Sequence, residues 1–338
     1  MSDPNRLAGL RAVKLAALVR DHLASTGENE AALRPGEFAP GAALLHDDES
    51  WVLVDDRPGA LPSSGLGGPL AWAMRHGARR LHVVVDDGAG GLARRAAGFS
   101  LPVSVWTVSG RSLVAARSAP LPVPAQVPSS HLAFKHVIAA AGAEPVVEHG
   151  VLCGEVLGLE VCRVVDDPDT GGVRLDIGIG DHDREAFRLL HGERPPVEAL
   201  ADVVATVGMH RRDPTASHPL ARLARERLLR AAVIRQPSCV GATSVVASPP
   251  PEPRPNLKDP VPCVAIADAD GGRRLLVLST GVDLDAVPAC VDARLATGIA
   301  DCALVVPIRD AIPVQRMLAA AAVPPVEVLA IDMPPLQP

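Results

Sequence analysis

The sequence predicts an α/β protein made of two internally duplicated α-β-hairpin-α-β-α-β units, with mainly parallel strands, flanking a central α+β domain that contains a β-hairpin. A repeat is the first observation behind this. At a constant offset of 223 residues, matching positions include Leu53/Leu276, Val54/Val277, Ala73/Ala296, Leu81/Leu304, Val83/Val306, Asp87/Asp310, Ala96/Ala319, Ala97/Ala320, Pro102/Pro325, Val103/Val326 and Val105/Val328. The order of apolar runs is also the same in both copies. Runs of four to six apolar residues separated by longer Ala- and Leu-rich stretches are the second observation, the pattern of buried parallel strands joined by helices. The third is composition: 48% of residues are hydrophobic but only 2% aromatic, with no tyrosine. Cores of Ala, Val and Leu suit sheets covered by Ala-rich helices.

Taken in order, Asp3-Pro4 supplies an N-cap and a first-turn proline for a helix to about residue 22, striped by Leu7, Leu10, Leu15, Leu18 and Leu23. A hairpin follows, residues 42 to 46 turning through Asp47-Asp48-Glu49 into 51 to 54, and later strands fall at 81 to 85 and 103 to 108. The second copy repeats this with a helix at 219 to 234, a hairpin at 264 to 267 and 275 to 278, and strands at 303 to 306 and 326 to 331. Between the copies lie a helix at 131 to 141, strands at 146 to 148, 151 to 156, 159 to 165 and 173 to 179, and helices at 184 to 190 and 197 to 207. The turn Asp166 to Gly172 is strong hairpin punctuation. The resulting division is a first unit at 1–115, a Pro-rich linker at 116–130, a central domain at 131–212, the helix of the second unit at 213–236, a second Pro-rich linker at 237–262 and the second unit at 263–338.

Composition narrows the function classes. A net charge of −6 offers no long-range attraction for nucleic acid or anionic lipid. Thirty of the thirty-three basic residues are arginine, which with abundant Ala, Gly and Pro indicates a GC-rich bacterial source. The six cysteines form no CxxC pair and sit mostly in apolar runs, as reduced core thiols do. With no 18-residue apolar run and no signal-type segment, the expected location is the cytoplasm, with no membrane partner.

Candidate chemistry clusters on the central hairpin. Alternation places Glu160, Arg174 and Asp176 on one face, with Asp176 opposite Cys162. Two such carboxylates fit a shared Mg²⁺ or Mn²⁺ that activates water for phosphodiester hydrolysis. A solvated face with a Glu–Arg pair is the plainer expectation. The order helix, antiparallel strands, helix is similar to the core of restriction-endonuclease-like nucleases over at most 80 residues. That family carries an acid on one strand and acid-x-Lys on the next. Here Asp176-Ile177-Gly178 stands at that place without a lysine, and Lys135 on the preceding helix is the residue that would substitute.

Other clusters have structural explanations of their own. Gly180-Asp181-His182-Asp183-Arg184-Glu185 offers an N-cap and first-turn acids for the next helix. Acids stand where strands end: Asp55, Asp56, Asp86 and Asp87 in the first copy, Asp283, Asp285 and Asp310 in the second. Asp87 and Asp310, a polar match of the repeat, are candidates to fix a loop or to bind metal. Gly65, Gly67 and Gly68 precede a helix, where free N–H groups favour phosphate, although the spacing fits neither dinucleotide nor P-loop fingerprints. Arg222, Arg225, Arg227 and Arg230 read as a solvated helix face. The sequence therefore points first to a cytosolic binding or scaffold protein with no recognisable catalytic centre, its protein or small-molecule partner unnamed. A metal-dependent phosphodiesterase using the hairpin acids is the alternative.

Overall fold

The computed structural model describes residues 4–27, 33–39, 41–54, 64–191, 194–212, 218–253 and 261–334. Asp3, Asp55, Asp56 and the middle of the second linker lie outside them. In chain order the first elements are α1 (Pro4–Thr26), β1 (Arg34–Gly36), β2 (Gly41–His46), β3 (Glu49–Val54), α2 (Gly67–Arg75), β4 (Arg80–Val85), α3 (Ala89–Ala96), β5 (Val103–Ser109) and β6 (Ser112–Ala115). There follow α4 (Ser129–Leu132), α5 (Lys135–Ala140), β7 (Glu144–Glu148), β8 (Val151–Val156), β9 (Leu159–Asp166), β10 (Val173–Ile177), α6 (Asp181–His191), α7 (Pro196–Arg211), α8 (Pro219–Arg222) and α9 (Arg225–Arg235). The last are β11 (Ser244–Ser248), β12 (Cys263–Ala269), β13 (Gly272–Leu278), α10 (Ala286–Thr297), β14 (Cys302–Pro307), α11 (Pro313–Ala321) and β15 (Glu327–Ile331).

The chain is mixed α/β. Three sheets run β1-β2-β3-β4-β5-β6, β10-β9-β8-β7 and β11-β12-β13-β14-β15. The order β2-β3-β4-β5 in the first sheet thus has the same element sequence as β12-β13-β14-β15 in the third. The strands are less parallel than expected. In the first sheet only β3–β4 and β4–β5 pair in parallel, while β1–β2, β2–β3 and β5–β6 are antiparallel. Tight turns dictate this, because a two-residue connection returns a strand only antiparallel. Asp47-Asp48 joins β2 to β3, and Gly110-Arg111, with Gly110 at φ 62°, joins β5 to β6. Strand β11, paired antiparallel with β12, occupies part of the stretch expected to be linker.

The chain divides into two compact units, one of residues 1–121, 282–304 and 309–328, the other of 122–281, 305–308 and 329–338. In the first, α1 buries Leu15, Leu18, Val19 and Leu23 against Ala42, Leu44, Trp51, Leu53 and Val84. Leu7 and Leu10, expected on the same stripe, are exposed. Helices α2 and α3 pack on β3, β4 and β5, and α10 and α11 pack on them in turn. Two tryptophans and two histidines cluster under α1. The Trp51 and His82 rings stack 3.9 Å apart, and His22 stands edge-on to Trp51 and Trp106. Trp106 Nε1–H donates to His82 Nδ1 at 3.0 Å, so His82 Nε2 carries the proton and faces Glu49 at 3.1 Å.

In the second unit, α5 and α7 cover one face of the four-stranded antiparallel sheet, burying Ile138, Leu152, Leu159, Cys162, Val164, Leu200 and Val207. The single helix expected at 219 to 234 is broken into α8 and α9. Ala224 takes a left-handed φ of 46° there. The fully buried Arg211 guanidinium explains the break, since it donates to the carbonyls of Leu220 and Leu223 at 2.7 Å and of Leu157 at 2.8 Å. Capturing those oxygens takes them out of a continuous helical ladder. Burial pushes Arg211 down to about 10.

Burial lowers the His82 pKa to about 3, and Arg80, His22 and His46 add to the effect. Because the unfolded chain titrates near 6.5, it binds the proton first, and stability falls as pH drops from 6.5 toward 3. Between pH 6.5 and 4.5 urea denaturation should show a loss of about 2 kcal/mol from this group. His82→Gln, which keeps an acceptor and a donor, should show a correspondingly shallower acid limb.

Candidate functional site

The face of the four-stranded sheet opposite α5 and α7 carries the charge, and a β-bulge decides which residues join it. Across β8–β9, Gly154 pairs with Cys162 but Glu155 pairs with Glu160, leaving Val161 as the extra residue. The bulge moves Glu160 off the face of Cys162 and onto that of Arg163. On β9–β10, Asp176 stands opposite Arg163, a correction of one residue to the expected pairing with Cys162. Glu160, Arg174 and Asp176 therefore share a face with Arg163 among them. Arg163 donates to Glu160 at 2.8 Å, Arg184 to Glu160 at 2.9 Å, and Arg174 to Asp176 at 2.8 Å and Asp167 at 2.7 Å. The hydrogen bond to Glu160 raises the Arg163 pKa. Lys135 is exposed at the start of α5. Among the described residues, no three His, Cys, Asp or Glu side chains converge as a metal site.

Glu144 pairs with Glu155 across β7–β8, so Glu144, Glu155 and Glu160 form a row across three adjacent strands. Like charges directly opposite repel, which makes counter-charges a structural requirement. Helix α9 supplies them. Arg227 bonds both Glu148 and Glu155, and Arg230 reaches Glu155 at 3.5 Å and the Val264 carbonyl at 3.3 Å. Arg227, Arg230 and Glu155 are all at most 3% exposed. Burial alone would pull the Arg227 pKa down; Glu155 and Glu148 outweigh it and hold it well above its ordinary value. Arg227 and Arg230 are thus not the solvated face expected from sequence, whereas Arg222 and Arg225 are exposed. Neighbouring Glu226 is also buried, which pushes its pKa up, and it accepts from Thr280 at 2.7 Å.

The glycine loop has its own anion. N–H groups of Gly65, Leu66 and Gly67 donate to the Asp285 carboxylate at 2.9, 2.9 and 2.8 Å. A Cβ on Gly67 would collide with the Leu284 carbonyl, and one on Gly68 would meet the Phe38 ring at 3.4 Å. The glycines permit this close approach, and a carboxylate stands where a phosphate was expected. At the strand ends, Asp86 pairs with Lys14 at 2.7 Å and exposed Asp87 accepts from the Gly88 N–H at 2.7 Å. Asp310 is buried in a short 3₁₀ turn beside Arg309. Asp183 accepts from the Ile179 N–H at 2.6 Å and Asp181 pairs with Arg184 at the same distance, so this acidic cluster is spent on the start of α6.

A cavity of about 240 Å³ opens at the end of the β7–β8 pair. Glu144, Glu155 and Val156 line the strand side, Val204 and Gly208 of α7 one flank, and Ala231 and Ile234 of α9 the other, with Arg212 and Arg235 at the C-terminal ends of the two helices. Its walls mix apolar side chains (Val156, Leu157, Val204, Ala205, Ala231, Ile234) with the charged Glu144, Glu155, Arg212 and Arg235. It is not legible in the sequence because its residues come from three separate stretches. No protein-family model, curated protein or solved structure matches the chain.

The Asp285 clamp is directly testable. Asp285→Ala removes three charge-assisted bonds and should cost about 2 kcal/mol. Acetate or phosphate should then raise the melting temperature of this variant by mass action but leave wild type unmoved. A variant as stable as wild type would contradict the clamp.

Proposed function

We propose that the chain is a cytosolic binding protein, built from a duplicated α/β unit, that holds a small ligand in the cavity at the end of β7–β8. The observation that carries this reading is the cavity's construction: a recess of mixed apolar and charged lining whose strand wall includes Glu155, already neutralised from behind by α9. Such a floor is rigid and desolvated without being reactive. The hairpin acids support the same reading, since Glu160 and Asp176 each meet arginine, and a divalent ion beside those guanidiniums would be repelled. The duplication draws on the common 223-residue offset together with the matching strand order of the first and third sheets. A reducing compartment is favoured by six free cysteines, five of them buried. Among the described residues, no helix is long and apolar enough to cross a membrane.

Ligand-observed NMR against a fragment set should identify binders that are lost in Val204→Trp, a substitution that fills the cavity. DNA and RNA incubated with Mg²⁺ or Mn²⁺ should stay intact. Fragment binding indifferent to Val204→Trp would contradict the site, and metal-dependent cleavage abolished by Asp176→Asn would establish the phosphodiesterase reading instead.

A further inference from the structure

We infer that the cavity between α7 and α9 takes a small zwitterion with an apolar body, an apolar amino acid, its carboxylate on Arg212 and its ammonium on Glu144. This rests on the binding reading of the same cavity and adds the ligand's charge pattern. Four charged side chains line the cavity, and two of them are already committed. Glu155 accepts from Arg227 on one carboxylate oxygen and from Arg230 on the other. Arg235 has a partner of its own. Glu144 and Arg212 differ from both. They are exposed, and among the described residues neither the carboxylate nor the guanidinium has a hydrogen-bond or ion-pair partner. Nor do the two pair with each other, so an unanswered acid and an unanswered base border one recess.

The elements set these groups on different walls. Along α7, Val204, Gly208 and Arg212 recur at i, i+4 and i+8 and share one face, with Arg212 where the helix ends. Glu144 opens β7 directly across from Glu155 on β8. A ligand with a single charge would answer one group and leave the other facing an apolar body, whereas a zwitterion answers both. The planar Arg212 guanidinium suits a carboxylate in bidentate fashion, and Glu144 accepts from an ammonium. Val156, Val204, Ala231 and Ile234 receive the apolar side chain. A volume of about 240 Å³ admits a molecule of amino-acid size and excludes a nucleotide-sized one.

Norleucine, hexanoate and pentylamine form a matched set of probes, since hexanoate is norleucine without its amino group and pentylamine is norleucine without its carboxyl group. Titrated calorimetrically into the full chain, norleucine should bind wild type about tenfold or more tightly than either of the others. Glu144→Gln should lower norleucine to the level of hexanoate, and Arg212→Gln to that of pentylamine, with both variants melting as wild type does. Val204→Trp should abolish norleucine binding while its circular dichroism and melting temperature report an intact fold. Norleucine that binds no tighter than hexanoate or pentylamine, that ignores Glu144→Gln and Arg212→Gln, or that fails to bind at millimolar concentration would overturn the zwitterion assignment. Fragment binding still lost in Val204→Trp would then leave the binding role of the cavity standing, and fragment binding absent or indifferent to that variant would remove both.

Discussion

A row of glutamates facing one another across adjacent strands is the constraint on which the second unit depends. Glu144, Glu155 and Glu160 stand side by side on β7, β8 and β9, an arrangement that like-charge repulsion opposes. The fold answers it with arginine from three directions: Arg163 from the same sheet, Arg184 from α6, and Arg227 and Arg230 from α9. Each buried arginine is tolerable only because it meets an acceptor, and each buried glutamate only because it meets a donor. Pairing therefore fixes where α6 and α9 lie on the sheet more tightly than apolar contact alone would.

Two consequences reach the candidate site. Arg230 also donates to the Ser248 and Val264 carbonyls, so α9 ties the four-stranded sheet to the β11–β12 pair within the same unit. On the other flank, Arg211 secures the end of α7 to the α8–α9 break and to the β8–β9 turn. The cavity lies between these two anchored helices. Its shape follows from the charge pairing of α9 and the carbonyl contacts of Arg211, which hold its mixed apolar and charged walls in place.

Much of the fold was legible in the sequence because it follows from periodicity. The strands at 151 to 156 and 159 to 165 agree with β8 and β9 to within a residue, since alternating apolar residues leave little choice of boundary. Strand β11 was hidden by the prolines around it, and β1 and β6 are too short to carry a pattern. The hairpin register went unread for a different reason. Asp176 pairs with Arg163 rather than Cys162 because the turn closes with Val173 opposite Asp166, half a residue from the centre its composition suggests, and Glu160 leaves the face of Cys162 because a bulge at Val161, with no trace in composition, reverses the side chains beyond it. The two departures cancel, which is why Glu160 and Asp176 still share a face although Arg163 stands between them. The arginines of α9 resembled a solvated helix face since their partners, Glu148 and Glu155, lie more than 70 residues away. Asp285 in the glycine loop is likewise a long-range contact, and only tertiary structure reveals that the loop's anion is the protein's own.

The pairing of Arg227 with Glu155 is the contact that carries most of this account, and a double-mutant cycle measures it. Urea denaturation of Arg227→Met, Glu155→Gln and the double variant should give single losses of about 3–5 kcal/mol, because each leaves a buried partner uncompensated. The double variant should lose far less than the sum of the two. Additive losses would mean that the two groups act independently, and that charge pairing does not set the position of α9.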